Sequence, residues 1–365
     1  LQKVVDWTRD GFLDSVGHCL GVRRRFGTRA VYLHTVLDST PRRTSWRNLG
    51  GRQPSLMMKR ILLRLKGIVG NLTAGLRGFK LAYIVETYDW SIKHDGESIT
   101  RALNQQHLVK TRITYCPCLL HNQIIHFGCV NTFFTKTGWN KPHPSNRVIL
   151  TWFHILDDDP RVKRLVQIQQ ELHAIHTSCE STKRTLVEAG IDEQKIVVIP
   201  LGVDTTLFTP ATPEQKRAVR ERLGIAPDRL VIGSFQKDGV GWGEGLEPKL
   251  NKGPDLLVET LARLKAFNPL VLLTGPSRGY VKHRLKEYGI EYVHTYLHHI
   301  NELPSMYHAL DVYLITSRLE GGPKSLLEAW ASGIPLVSTR VGMVPDIAID
   351  QETASLTQGN SESLA

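Results

Sequence analysis

From Leu81 to the end of the chain, short β-prone runs and helical segments follow one another in turn. Leu81 to Glu86, Arg112 to Cys118, Ile124 to Phe127, Arg147 to His154, Ile175 to Ser178 and Lys195 to Ile199 read as strands. Glu97 to Lys110, Arg161 to Glu171 and Ser181 to Ala189 read as the helices between them. Runs such as Val148-Ile149-Leu150 are apolar without a break, so both faces of the strand want cover, which is the mark of a parallel sheet between helical layers. A second block repeats the pattern, with strands at Arg229 to Gly233, Leu270 to Leu273, Val312 to Ile315 and Ile334 to Ser338. Helices are expected over Pro213 to Leu223, Pro254 to Phe267, Tyr280 to Tyr288, Pro304 to Ala309 and Pro323 to Ala331. Two such blocks, joined near Thr205 to Ala211, predict an α/β protein of two doubly wound domains, and 365 residues suffice for both cores. Sheets of this kind bind ligands beyond the carboxyl ends of their strands.

The first 80 residues differ. They hold 16 basic and 4 acidic side chains, against 30 and 31 in the remainder. The excess includes Arg23, Arg24, Arg25, Arg29, Arg42, Arg43, Arg47 and Arg52. A basic stretch meets nucleic acid, anionic lipid or an acidic partner. No recognition module for nucleic acid is present, and Trp46 and Phe79 are not interleaved with the basic run as a stacking platform needs, so no specific nucleic acid is expected. From Met57 to Leu76, helical spacing gathers Met58, Ile61, Leu62, Leu65, Val69, Leu72 and Leu76 near one face, with Lys59, Arg60, Arg64, Lys66 and Arg77 on the flanks. Two readings stay open for it: a helix in a membrane interface, with residues 20–80 on an anionic surface, or a domain-packing helix with a solvated face. No run of eighteen apolar residues exists. The five cysteines match no zinc or redox spacing, and a cytoplasmic setting, peripheral at the inner face of a membrane, is the expectation.

Chemistry concentrates in a few runs. Pro200-Leu201-Gly202-Val203-Asp204 turns the chain, and Glu320-Gly321-Gly322-Pro323-Lys324-Ser325-Leu326-Leu327-Glu328 follows a buried strand and enters a helix. With Pro323 at the first helical position, the amides of Gly322 through Ser325 have no intrahelical acceptor and form an anion site. Gly321 and Gly322 allow a ligand close to the backbone. Glu328, a turn and a half into the helix, suits the two hydroxyls of a ribose, and Glu320 lies ahead of the helix.

Together these runs resemble the retaining nucleotide-sugar glycosyltransferases of family 4 (glycosyl transferases group 1), from about residue 81 and most firmly from residue 174. The resemblance implies the GT-B fold, two facing Rossmann-like domains: an acceptor-side domain over 81–205 and a nucleotide-sugar domain over 206–365, behind a basic region 1–80. The family continues for several more elements, so the second domain is expected to be cut short at Ala365. By resemblance, His154, Glu320 and Lys252 are the catalytic set. His154 and Glu320 stand beside the donor sugar, Lys252 on the diphosphate and Glu328 on the ribose. Lys237, Gly321, Gly322, Lys324, Gly275, Gly342 and Gly96 complete the donor-binding set, Gly96 in a turn ahead of the first helix. The family's arginine after the strand-ending glycine is absent: Gly233 is followed by Ser234, and Lys237 is the nearest cation. Met343 replaces the second glycine of the pair begun by Gly342. The Gly-rich run 239–245 reads equally as a lid over the donor or as a surface insertion. Asp157, Asp158 and Asp159 suggest Mg²⁺ by type, but consecutive aspartates converge poorly on one ion and also fit helix capping. The resemblance implies metal-independent chemistry and no cofactor beyond the donor. The expected reaction moves a sugar from a nucleoside diphosphate sugar to a hydroxyl of a saccharide or lipid-linked acceptor. The competing reading is a degenerate scaffold that keeps the fold as a binding protein.

Overall fold

A computed structural model describes residues 56–365 except 73, 75–76, 88–90, 137, 157 and 298. The arginines from Arg23 to Arg52, and Leu76 and Asp157, lie outside the described residues. The chain divides into two compact units, Leu1–Leu150 and Thr151–Ala365.

Among the described residues the chain runs through α1 (Leu56–Leu72), β1 (Leu81–Ile84), α2 (Ser91–Gln105), β2 (Thr111–Thr114), β3 (Ile124–Phe127), α3 (Val130–Phe133) and β4 (Arg147–Thr151). Next come α4 (Pro160–Ile168), β5 (Ala174–Thr177), α5 (Glu180–Glu188) and β6 (Ile196–Val198). These strands form a six-stranded sheet in the order β2-β1-β3-β4-β5-β6, with β1 parallel to both β2 and β3. All four residues of β1 are buried, as their unbroken apolar character requires. Helix α1 packs through Gly67, Ile68 and Asn71; the Asn71 amide donates to the carbonyls of Cys116 (3.1 Å) and Cys118 (2.8 Å), and its Oδ1 accepts from Thr114. The opposite face leaves Met58, Leu62, Leu65, Val69 and Leu72 exposed.

The second sheet is built from α6 (Pro213–Arg222), β7 (Val231–Phe235), α7 (Pro254–Arg263), β8 (Leu270–Thr274), α8 (Gly279–Glu287), β9 (Tyr292–Thr295) and α9 (Leu303–His308). It continues through β10 (Val312–Ile315), α10 (Lys324–Ala331), β11 (Leu336–Thr339), α11 (Val344–Ile347), β12 (Ser355–Thr357) and α12 (Ser361–Leu364). The order is β12-β11-β10-β7-β8-β9, parallel throughout. Renumbered from β7, this is the dinucleotide-fold order, whose direction reverses between β7 and β10. Alternate residues feed two cores: Val231, Leu270, Leu272, Tyr313 and Ile315 pack on one face, and Ile232, Val271, Leu273 and Leu314 on the other. Each such side chain contributes about 1.5–3 kcal/mol on burial. The two cores fix the strands, and with them the loops at their carboxyl ends.

Candidate active site

The loops that leave β7 and β10 meet at the point where the strand order reverses. After β10 the chain runs Thr316-Ser317-Arg318-Leu319-Glu320 and is stitched to the segment ahead of α7. The amides of Arg318 and Leu319 both donate to the Asn251 carbonyl (2.9 and 3.0 Å), and Thr316 Oγ1 donates to the Gly253 carbonyl (2.9 Å). Arg318 forms a two-pronged ion pair with Asp255 (2.7 and 2.8 Å). These contacts set Lys252 against Glu320: the Lys252 ammonium donates to Glu320 Oε1, which also accepts from Ser317 Oγ at 3.0 Å. The Glu320 side chain is 12% exposed and that of Lys252 22%, so the pair is sheltered but reachable.

His154 joins them. It follows β4, and its carbonyl accepts from the Trp152 indole at 2.9 Å. Burial, foremost, holds its imidazole below the ordinary value; Glu320 pulls it up, and Lys252, Arg161 and Lys249 push it down. The ring is thus a neutral hydrogen-bonding group in the field of Glu320 and Lys252. The backbone next to it explains a glycine. A Cβ on Gly321 would lie 1.9 Å from the Phe153 carbonyl oxygen, so only glycine lets these two backbone segments come this close. Gly342 has φ +53°, and its own Cβ would meet the Gly321 carbonyl at 2.4 Å. The Met343 amide donates to that carbonyl (2.9 Å). Met343, in place of the expected glycine, is wholly buried in the core and lies against Gly322.

Helix α10 begins at Lys324, with Pro323 as its N-cap rather than its first helical residue. Lys324 is half-buried in the first turn. Glu328 is buried, and the hydroxyl of the wholly buried Tyr307 donates to its Oε2 at 2.8 Å. Burial, then the Glu328 carboxylate, raises Tyr307 well above the ordinary tyrosine range, so it remains a donor at all working pH values. Nothing local in the sequence pointed to Tyr307, which comes from α9. Ser317, three residues before Glu320, was within reach of a closer reading.

Around β7 and β8, Gly275 follows β8 with φ +89°, close against the Gln236 carbonyl, and its own carbonyl pairs with the His294 ring nitrogen at 2.8 Å. Lys237 is half-buried, with its ammonium 4.7 Å over the Trp242 ring. The loop 239–248 is a small hairpin, Val240 amide to Glu247 carbonyl (2.9 Å). It is tied to α8, whose amides of Gly279 and Tyr280 donate to the carbonyls of Glu244 and Gly245 (2.8 Å each). Ser277 Oγ bonds the carbonyls of Gly241 and Gly243. Arg278 is fully buried. Its guanidinium donates to the carbonyls of Ser234, Gln236 and Thr274 and pairs with buried Asp238 at 3.0 Å, so it ties the carboxyl ends of β7 and β8 together.

Gly96 does not sit in a turn ahead of a helix. It lies inside α2, buried, with its backbone packed against Tyr83 and Val85 and its carbonyl accepting from Thr100 Oγ1 (2.8 Å). The Asp95-Gly96 pair looked like a turn because a lone glycine usually punctuates; here the missing side chain lets the helix approach β1. Asp159 caps α4 through the Arg161 amide (3.0 Å) and pairs with the Arg161 guanidinium. Among the described residues no group of three metal-ligating side chains converges, and no helix is long and apolar enough to cross a membrane.

Residues 247–365 match the family described as glycosyl transferases group 1. A D-inositol 3-phosphate glycosyltransferase of Stackebrandtia nassauensis is 31% identical over 248 residues, covering 61% of this chain and 53% of that protein. The lipopolysaccharide core biosynthesis mannosyltransferase LpsB of Rhizobium meliloti is 29% identical over 159 residues, or 41% of this chain and 42% of the relative. The chain thus spans about half the length of the curated relatives it matches. The solved structure of Anabaena Alr3699/HepE in complex with UDP-glucose superposes with a TM-score of 0.60 at 16% identity, covering 78% of this chain and 87% of that one, which establishes the shared fold.

Proposed function

We propose that this chain, a GT-B protein of the glycosyltransferase group 1 family whose residues 247–365 carry the family's own match, transfers a sugar from a nucleoside diphosphate donor to a hydroxyl with retained anomeric configuration. The observation that carries this reading is the meeting of His154, Lys252 and Glu320 where the strand order of the second sheet reverses. Residues 206–365 serve the donor, residues 81–205 the acceptor, and the acceptor is a saccharide or a lipid-linked saccharide.

The chemistry follows from the charges. As the glycosidic bond breaks, negative charge grows on the departing diphosphate. Lys252, Lys237 and the amides from Gly322 to Ser325 at the start of α10 answer it with fixed positive charge and donors. Lys252 is held by Glu320, so donor binding exchanges one anionic partner for another. Glu320, released from the lysine and still held by Ser317, turns to the sugar hydroxyls, and His154 donates or accepts from its neutral ring. Glu328, oriented by Tyr307, takes the ribose. Gly321, Gly342 and Gly275 let the backbone segments around the site pack directly against one another. The test is a transfer assay over UDP-, GDP- and ADP-linked sugars with the anomeric configuration of the product read by NMR. Lys252→Ala is expected to lower turnover at least about a hundredfold with an unchanged melting temperature. Full turnover in Lys252→Ala, or an inverted product, contradicts the proposal.

The same reading includes an anionic bilayer as the partner of α1. Its exposed Met58, Leu62, Leu65, Val69 and Leu72 recur at steps of four and three, exposed Lys59 and Lys66 flank them, and the helix contains no acidic residue. Apolar area with basic flanks favours an anionic interface over a second, equally basic copy of this helix. Co-sedimentation with vesicles containing phosphatidylserine, lost in Leu62→Asp/Val69→Asp and weak with neutral vesicles, is expected. Dimerisation without vesicle binding would overturn it.

A further inference from the structure

Strand β5 carries a histidine that no sequence motif singles out. His176 lies next to the carboxyl end of β5, which runs between β4 and β6, and its ring spans to the ends of both neighbours. Nε2 is 2.9 Å from the carbonyl of Ile199, just beyond β6, and Nδ1 is 3.0 Å from Oγ1 of Thr151, the last residue of β4. A carbonyl oxygen only accepts, so the proton sits on Nε2; Nδ1 is then the acceptor and the Thr151 hydroxyl the donor. The main chain repeats these links: the Trp152 amide donates to the His176 carbonyl at 2.8 Å, and the Ile199 amide to the Thr177 carbonyl at 2.9 Å. The Phe153 ring meets the imidazole edge-on, with centroids 6.3 Å apart. Burial holds the imidazole below its ordinary value, against the pull of the Ile199 carbonyl, which keeps the ring neutral as one donor and one acceptor require.

We propose that His176 is the positioning residue of His154: anchored on the Ile199 carbonyl, its ring holds the Thr151 hydroxyl and so sets the run Thr151-Trp152-Phe153-His154 against Gly321. This rests on the donor-sugar reading of His154 given above. The run is stiff from its first residue to its last. Thr151 and Trp152 are wholly buried, and the Trp152 indole donates back to the His154 carbonyl at 2.9 Å. The Phe153 carbonyl accepts from Thr182 Oγ1 at 2.8 Å and packs directly on Gly321. A shift at Thr151 is therefore passed on to His154 rather than absorbed between them. Groups that orient a reacting sugar tolerate little displacement. The contacts assigned to the diphosphate and the ribose come from other segments: Lys252, the start of α10, and Glu328 held by Tyr307. Loss of the His176 ring is thus felt at the sugar and not at the nucleotide.

The experiment measures by calorimetry what the sugar adds to binding, with UDP against UDP-glucose, GDP against GDP-mannose and ADP against ADP-glucose. The proteins are wild type, His176→Gln, His176→Asn, Thr151→Val, His154→Ala and the double variant His154→Ala/His176→Gln. Glutamine puts an amide nitrogen where Nε2 stands and keeps only the bond to Ile199; asparagine puts an oxygen where Nδ1 stands and keeps the acceptor for Thr151. In His176→Gln the preferred donor is expected to bind about tenfold more weakly, with its nucleoside diphosphate within about twofold of wild type and a smaller loss in His176→Asn. Thr151→Val removes the hydroxyl from a side chain of the same size; it should follow His176→Gln, and it tests the same link where a ring variant does not fold. In the His154→Ala background the His176 exchange should cost nothing further, since one residue works through the other. Equal losses for diphosphate and donor, or losses that add to that of His154→Ala, assign His176 to folding alone and overturn the proposal. Unchanged donor affinity in both His176→Gln and Thr151→Val overturns it too and leaves the donor site standing. Failure of wild type to bind any of the three diphosphates defeats the donor reading and this inference with it.

Discussion

At the scale of single residues, contacts too close for a side chain are the firmest constraints. Gly321 has no room: a methyl group would sit 1.9 Å from the Phe153 oxygen. Gly321→Ala is therefore expected to cost more than about 2 kcal/mol in urea unfolding and to part the two backbone segments. Stability equal to wild type would show that the two backbones separate freely. Glu328 and Tyr307 make a second pair of expectations. Glu328→Gln keeps the size but loses the charge, and nucleotide affinity should fall about tenfold. Tyr307→Phe removes one buried donor to the carboxylate and should cost about 1–3 kcal/mol of stability with a smaller loss of affinity. An equal effect of both variants on affinity would mean that Glu328 acts through Tyr307 rather than on ligand. The glutamates were legible because their spacing places them around a helix start. Tyr307 was not, because its helix meets α10 only through the tertiary fold.

Among the elements, legibility followed burial. The central strands β8 and β10 are nearly continuous apolar runs and were read almost to the residue, whereas β7, expected at Arg229 to Gly233, runs Val231–Phe235 through Gly233 and Ser234. Two strands escaped: Tyr292–Thr295, half-buried throughout, and Ser355–Thr357. They are the two outer strands of the second sheet, where one neighbour suffices and no unbroken apolar run is needed. The short α3 escaped too, and the first helix of the sheet region began at Ser91 rather than Glu97 because Gly96 serves packing. The apolar stripe of α1 was read correctly as a helical face, but the sequence left its direction open; the helix packs through Gly67, Ile68 and Asn71. The 239–248 loop illustrates the limit of composition. Its glycines suggest a lid as readily as a surface insertion, and the bonds to Ser277, Gly279 and Tyr280 show a loop tied to α8. Limited proteolysis in this loop should be slow with and without nucleotide; rapid cutting that nucleotide suppresses would point to a lid.

For the molecule as a whole, the titration of buried histidines sets an acid limit. Burial lowers His154, His176 and His294 below their ordinary value of 6.5. Each takes up a proton more readily in the unfolded chain, so stability is fully present above pH 6.5 and is lost as pH falls through that value toward the lowered folded ones. The melting temperature should be level from pH 7 to 8 and decline below about pH 6.5. A rise in that interval would mean that the histidines are charged in the fold. Sequence order alone carried the two-domain α/β plan, since parallel sheets demand their alternation of elements. The tie of Arg278 between β7 and β8 depends on residues more than forty positions apart and left no local trace.

The central claim is that the carboxyl ends of β7 and β10 form a site for a nucleoside diphosphate sugar. The most direct measurement is calorimetry of the folded chain with UDP, GDP and ADP and their glucose, mannose and N-acetylglucosamine forms, repeated with Glu328→Gln. Micromolar binding of one base, weakened about tenfold in Glu328→Gln, is the predicted result. Absence of binding to folded protein, or binding that Glu328→Gln leaves untouched, would contradict the account.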